Sequence, residues 1–150
     1  MKLFSVPRTA LHVELMLRDE HCPPHVHVDD QTSLWEARFA FSFVSDNVIL
    51  MDIDPIEEAP NTRTIDRIKA AIAANLAKCR AVWWEKIGTC CLDRRWMRVA
   101  NDTVTILPKR ERGSIQIHTA RYSPAANHAV TLILQDGTTL TLQAGQGTDS

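Results

Sequence analysis

The sequence predicts an α+β fold, an antiparallel β-meander packed on one long helix and followed by a C-terminal β-hairpin region. Three patterns carry this reading. Trp35, Ala37, Phe39, Phe41 and Phe43 are apolar at every second position, with Glu36, Arg38 and Ser42 between them, the period of a strand covered on one face. Ile65, Ile68, Ile72, Leu76, Cys79 and Trp83 step by three or four, which lines one side of a helix. Val130, Leu132 and Leu134 alternate up to Asp136-Gly137, and Leu140 and Leu142 resume the pattern, as in a hairpin.

Along the chain, His12 to Leu17 alternates with Val13, Leu15 and Leu17 on one face and predicts the first strand. Arg18 to Pro24 breaks it, because Pro23-Pro24 removes two backbone donors and forces an extended or turning path. His25 to Val28 predicts a second strand, followed by the polar stretch Asp29-Asp30-Gln31-Thr32. The Trp35–Phe43 run comes next, and Ser45-Asp46-Asn47 turns the chain into a shorter strand over Val48–Ile53. The meander thus spans roughly residues 11 to 54. One helix is expected from about Thr64 to Lys86, capped by Asn61 or Thr62, and it would be about 33 Å long at the α-helical rise. Val99–Leu107 and Ser114–His118 predict further strands on either side of a basic turn at residues 108–113. Ala144–Ser150 offers no apolar anchor and is expected to fray.

A chain of 150 residues, 45% hydrophobic and 23% charged, suits a single α+β domain over 1–150. A fusion is the alternative, with a motif-bearing unit at 12–87 and a β-rich extension at 96–144. The net charge of −1 argues against a protein that holds nucleic acid by an overall positive field. Charge is unevenly distributed, since residues 1–75 hold seven basic and twelve acidic side chains and residues 76–150 hold ten and six. The first fifteen residues carry Lys2, Pro7, Arg8, His12 and Glu14 in place of a signal-peptide core, and there is no long apolar run, so a cytoplasmic protein without membrane association is expected. Cys22, Cys79, Cys90 and Cys91 match no common disulfide or zinc spacing and are expected to be reduced.

The densest chemistry lies in Asp19-Glu20-His21-Cys22-Pro23-Pro24-His25-Val26-His27-Val28, where three imidazoles fall within seven residues. On a strand His25 and His27 project from the same face, about 7 Å apart at the backbone, and their rings can converge on one ion. His21 would close a three-histidine metal site, with Glu20, Asp19 or Glu36 supplying an oxygen ligand or orienting a ring. A divalent metal such as zinc is the one cofactor these residues suit. The plain alternative is a structural loop whose histidines bond to backbone carbonyls and nearby carboxylates. Pro23-Pro24 rules out the helical His-Glu-x-x-His arrangement of zinc proteases.

This stretch, Glu20 followed by His21-Cys22-Pro23-Pro24-His25-Val26-His27-Val28, resembles the signature of a bacterial family of small domains of unknown function. Its members carry an acidic residue and then His-x-Pro-Pro-His-hydrophobic-His. The resemblance extends more weakly through the following strands to Trp83-Trp84-Glu85 and covers about residues 12–87. It implies a short intracellular protein encoded on mobile or accessory loci beside another small protein, hence a toxin–antitoxin-like or accessory role. It brings no catalytic residues. The long C-terminal extension departs from the family's shorter form, and its hairpin is faintly similar to a second small domain of unknown function sometimes encoded beside the first.

Two further charged groups stand out. Asp52, Asp54, Glu57 and Glu58 form an acidic run that could bind a divalent ion, although acid before a helix is also favoured by the helix dipole. Arg94, Arg95, Trp96 and Arg98, with Lys109, Arg110 and Arg112, could grip phosphate and stack a base, or pair with the acidic half. Trp84, beside the apolar helix stripe, is the better interface anchor than Trp83. No Gly-rich phosphate loop or Gly-x-Ser-x-Gly elbow is present. The leading expectation is therefore a non-enzymatic accessory protein that binds another macromolecule, a protein partner or a second copy of the chain. A metal-dependent, hydrolase-like enzyme using His21, His25 and His27, with Glu20 or Glu36 as acid/base, ranks second. Nucleic-acid binding through the arginines ranks third.

Overall fold

The computed structural model describes residues 1–18, 20–29 and 34–150, and within them the α+β class holds. The chain forms two compact units, one of Met1–Phe41 with Val48–Ile87 and one of Ser42–Asn47 with Gly88–Ser150.

The first unit is a five-stranded antiparallel meander in sequence order, β1 (Lys2–Ser5), β2 (His12–Glu14), β3 (His25–Asp29), β4 (Glu36–Ala40) and β5 (Ile49–Asp54). Strand β1 lies ahead of the predicted meander and leaves little trace in the sequence, because only Leu3 of its four residues is buried. In the centre, Val13 faces Val28, Val28 faces Ala37, and Val26 faces Phe39 across the ladders. All five side chains are fully buried, which is the alternation the sequence displays.

The single long helix is corrected to two, α1 (Thr62–Ala73) and α2 (Leu76–Ile87). Asn61 caps α1, accepting from the Thr64 amide at 2.9 Å. At the break the Asn75 amide donates to Ile72 three residues back, and its side-chain amide donates to the Ala71 carbonyl at 2.8 Å. The Cys79 amide then donates to the Asn75 carbonyl, starting the second helix. The apolar period runs through this tight turn unbroken, since Ile68, Ile72, Leu76, Cys79 and Trp83 are all buried. Burial periodicity therefore could not reveal the break. Full burial of each large member of this stripe contributes roughly 1.5–3 kcal/mol.

The second unit is a mixed six-stranded sheet in the order β10-β9-β8-β6-β7-β11. Its strands are β6 (Trp96–Ala100), β7 (Thr103–Leu107), β8 (Ile115–Ser123), β9 (Ala129–Leu134), β10 (Thr139–Gln143) and β11 (Thr148–Asp149). The predicted hairpin is present as β9 and β10, with Gly137 at φ +85° in its turn. The single strand expected over Val99–Leu107 is instead the hairpin β6–β7, turned by Asn101 and Asp102 at φ +53° and +59°. These are residue types that tolerate the left-handed region and take the place of glycine here.

The expected frayed tail is also corrected, because β11 pairs in parallel with β7. Four contacts hold it without apolar side chains: the Gly147 amide donates to Val44, the Ser150 amide to Ile106, the Ser45 hydroxyl to Asp149 at 2.6 Å, and the hydroxyls of Thr148 and Thr105 lie 2.7 Å apart. Gly147 is required for the close approach, since a Cβ there would fall 2.3 Å from the Val44 side chain. Phe43 belongs to this core, its ring edge-on to Tyr122 at 4.9 Å.

Cys22 and Cys91 are in disulfide form, which corrects the expectation of four reduced thiols, while Cys79 and Cys90 are free and buried. Burial pushes the free thiols up to about 12, so they pack as neutral groups. No helix among the described residues is long and apolar enough to cross a membrane.

Candidate metal centre

Strand β3 places His25 and His27 on the polar face of the meander, with ring centroids 5.2 Å apart. Each ring is fixed at its Nδ1 edge. His25 Nδ1 lies 2.8 Å from the Pro23 carbonyl and His27 Nδ1 lies 2.7 Å from Glu36 Oε1. A carbonyl and a carboxylate only accept, so each ring carries a proton on Nδ1. Both prolines also supply acceptors: the Pro23 carbonyl orients His25, and the Pro24 carbonyl accepts the Phe41 amide at 3.0 Å, tying the loop to the end of β4. Behind His25 stands the fully buried Trp83, at 5.5 Å between ring centroids, itself packed perpendicular to Phe41.

Both Nε2 edges face one carboxylate. His25 Nε2 is 2.8 Å from Glu20 Oε2, and His27 Nε2 is 3.2 Å from Glu20 Oε1. The Glu20 side chain is only 6% exposed, although its loop lies beside the protein surface. Despite the short distance, Oε2 has no hydrogen-bond partner among the described residues, so it sits off the line along which a ring N–H would donate. Two imidazole edges facing a buried carboxylate demand positive charge among them, as ring protons or as one cation shared by all three groups. The unpartnered Oε2 favours the shared cation.

Among the described residues, Glu20, His25 and His27 are the only set of three or more potential ligands whose donor atoms lie within 4.8 Å of one another. Of the three predicted histidines, two are brought together. His21 is exposed, its ring 6.4 Å from that of His25, and Glu20 takes the third position. Glu36 acts on the outer side of His27, reaching it diagonally across the β3–β4 ladder, where Arg38 is the residue directly opposite. Asp19 lies outside the described residues.

The acidic run divides. Asp52 faces Arg38 across β4 and β5 and accepts from its Nε at 3.0 Å and from Nη2. The hydrogen bonds from Arg38 hold the Asp52 carboxyl below its ordinary range. Glu57 and Glu58 are exposed in a short 3-10 turn before α1. In the second unit Arg94 and Arg95 are exposed, Arg98 pairs with Glu111 at 3.1 Å, and the Arg110 guanidinium lies 5.5 Å from the Trp96 ring centre. Trp84 is half-buried.

An open cleft of about 580 Å³ lies over these three side chains, lined by Met1, Met16, Leu17, Arg18, His21 and Arg38 besides the three ligand candidates. Sequence reasoning did not single out Arg18 or Arg38. The signal for Arg38 was its place in the alternating polar face of β4. No protein family, no curated protein and no solved structure matches the chain.

Proposed function

We propose that the first unit binds one divalent transition-metal ion through Glu20, His25 and His27 and uses it as a Lewis acid in a hydrolytic reaction. Two imidazole nitrogens and one carboxylate oxygen are the ligand set of many zinc hydrolases, and they leave coordination positions open to water and substrate. The observation that carries the reading is the convergence of two Nδ1-anchored histidines on the buried Glu20 carboxylate, whose Oε2 has no hydrogen-bond partner among the described residues. The cleft over the site supports a small-molecule substrate. Glu36 orients His27, and Trp83 backs His25.

The test is metal content by elemental mass spectrometry on untagged protein purified without chelator. Near-stoichiometric metal is expected in the wild type and in His21→Ala. It is expected to be lost in Glu20→Gln and in the His25→Ala, His27→Ala double variant. A folded wild-type protein that takes up no zinc, manganese or nickel refutes the reading. The accessory role implied by the resemblance, with a protein partner, is then the reading that stands.

A further inference from the structure

The cleft over the metal centre is asymmetric in charge. Among the described residues, Arg18 and Arg38 line it as cations, and Glu20, which faces the two histidines, is the one carboxylate on its wall. Arg38 is already committed, its guanidinium bonded to Asp52 through Nε and Nη2. Arg18 is exposed and makes no ion pair with any described residue. Met16 and Leu17, the two residues before Arg18, form an apolar wall, and Leu17 is 55% exposed. A cation at Glu20, His25 and His27 would leave the described lining of the cleft with excess positive charge beside an uncovered apolar strip.

From this we propose that the ligand of the cleft is a small organic oxyanion. One oxygen occupies an open position on the metal, the anionic group pairs with Arg18, and the apolar body lies on Met16 and Leu17. The proposal rests on the metal reading above. Phosphate monoesters and carboxylates share this chemistry. Guanidinium matches either with paired N–H donors, and a divalent cation accepts oxygen from either. A cleft of about 580 Å³ is within the size range of small-ligand sites. A neutral ligand would make no use of the Arg18 charge, and a polycation would be repelled by both arginines and the metal.

The experiment uses the full chain loaded with cobalt(II), whose visible d–d bands report its coordination. The cobalt protein is titrated with phenyl phosphate, benzoate, inorganic phosphate and the neutral control benzyl alcohol. Saturable band shifts are expected with phenyl phosphate or benzoate, and the comparison of the two identifies the anion class. Inorganic phosphate, which lacks the apolar body, is expected to bind more weakly, and benzyl alcohol to leave the bands unchanged. Arg18→Ala is expected to bind cobalt as the wild type does and to weaken anion binding about tenfold, with Arg18→Lys in between. Cobalt bands that no anion perturbs, or anion affinity unchanged in Arg18→Ala, overturn this proposal and leave the metal reading intact. Absence of any cobalt spectrum in the folded wild type overturns both.

Discussion

Removing the carboxylate of Glu36 tests whether the outer hydrogen bond to His27 tunes the metal centre. The His27 Nδ1 to Glu36 Oε1 distance of 2.7 Å is short for an N–H···O bond, as expected for a charged acceptor. Loss of such a partner typically lowers metal affinity by about 10–100-fold. The Glu36 side chain is 45% exposed, so water can replace it in part and the low end applies. Glu36→Ala is therefore expected to weaken zinc binding about tenfold, equivalent to about 1.4 kcal/mol. Glu36→Gln keeps an oxygen that accepts from Nδ1 and is expected to lose only about two- to threefold. The assay is competition with a chromogenic chelator at fixed pH and ionic strength, with circular dichroism to show that each variant is folded. If folded Glu36→Ala holds zinc within twofold of the wild type, the hydrogen bond does not orient a ligand and the account of His27 fails.

Three structural predictions need no metal. Asn61→Ala removes the acceptor of the Thr64 amide and is expected to destabilise the protein by about 1 kcal/mol in urea unfolding, and an unchanged midpoint counts against the cap. Cys79 and Cys90 are expected to resist iodoacetamide at pH 8 until the protein unfolds. Their thiols titrate near 12 when folded against an ordinary 9.0, so between those values the unfolded chain sheds protons that the folded chain keeps. Their contribution to stability is thus complete below pH 9 and falls as pH rises, and measurements in Cys79→Ala and Cys90→Ala check that sign.

The parts of the fold that were legible are those in which one period meets one buried face. Val26, Val28, Ala37 and Phe39 alternate because one face of the meander is sealed, and Ile68 to Trp83 repeat because one side of the helical segment is. The break at Asn75 was hidden because a polar side chain that turns back on its own helix leaves the apolar register intact. The β6–β7 turn was hidden because Asn101-Asp102 carries no glycine, and β11 because backbone groups and side-chain hydroxyls hold it, with no apolar side chain involved. At the site, the spacing of His25 and His27 follows from strand geometry alone. The position of Glu20 against them depends on how the Pro23-Pro24 loop folds back, and local spacing does not encode that path. The disulfide state of Cys22 and Cys91 was illegible for a related reason, since cysteine spacing rules describe compact local frameworks and these two are far apart in sequence.

The short excursion Ser42–Asn47 has a consequence for how the chain is made. Its partners stand at the far end of the sequence: Ser45 bonds Asp149, 104 residues later, and Val44 accepts the Gly147 amide. At a synthesis rate of about 5–20 residues per second, Ser45 leaves the ribosome roughly 5–20 s before Asp149. During that interval Phe43 and Val44, both buried in the finished protein, have no second core to enter. The strands around them can pair early, but the second unit is completed only when the last residues emerge. A nascent chain paused or truncated near its end would present these two side chains to solvent, and to any chaperone that binds short apolar segments.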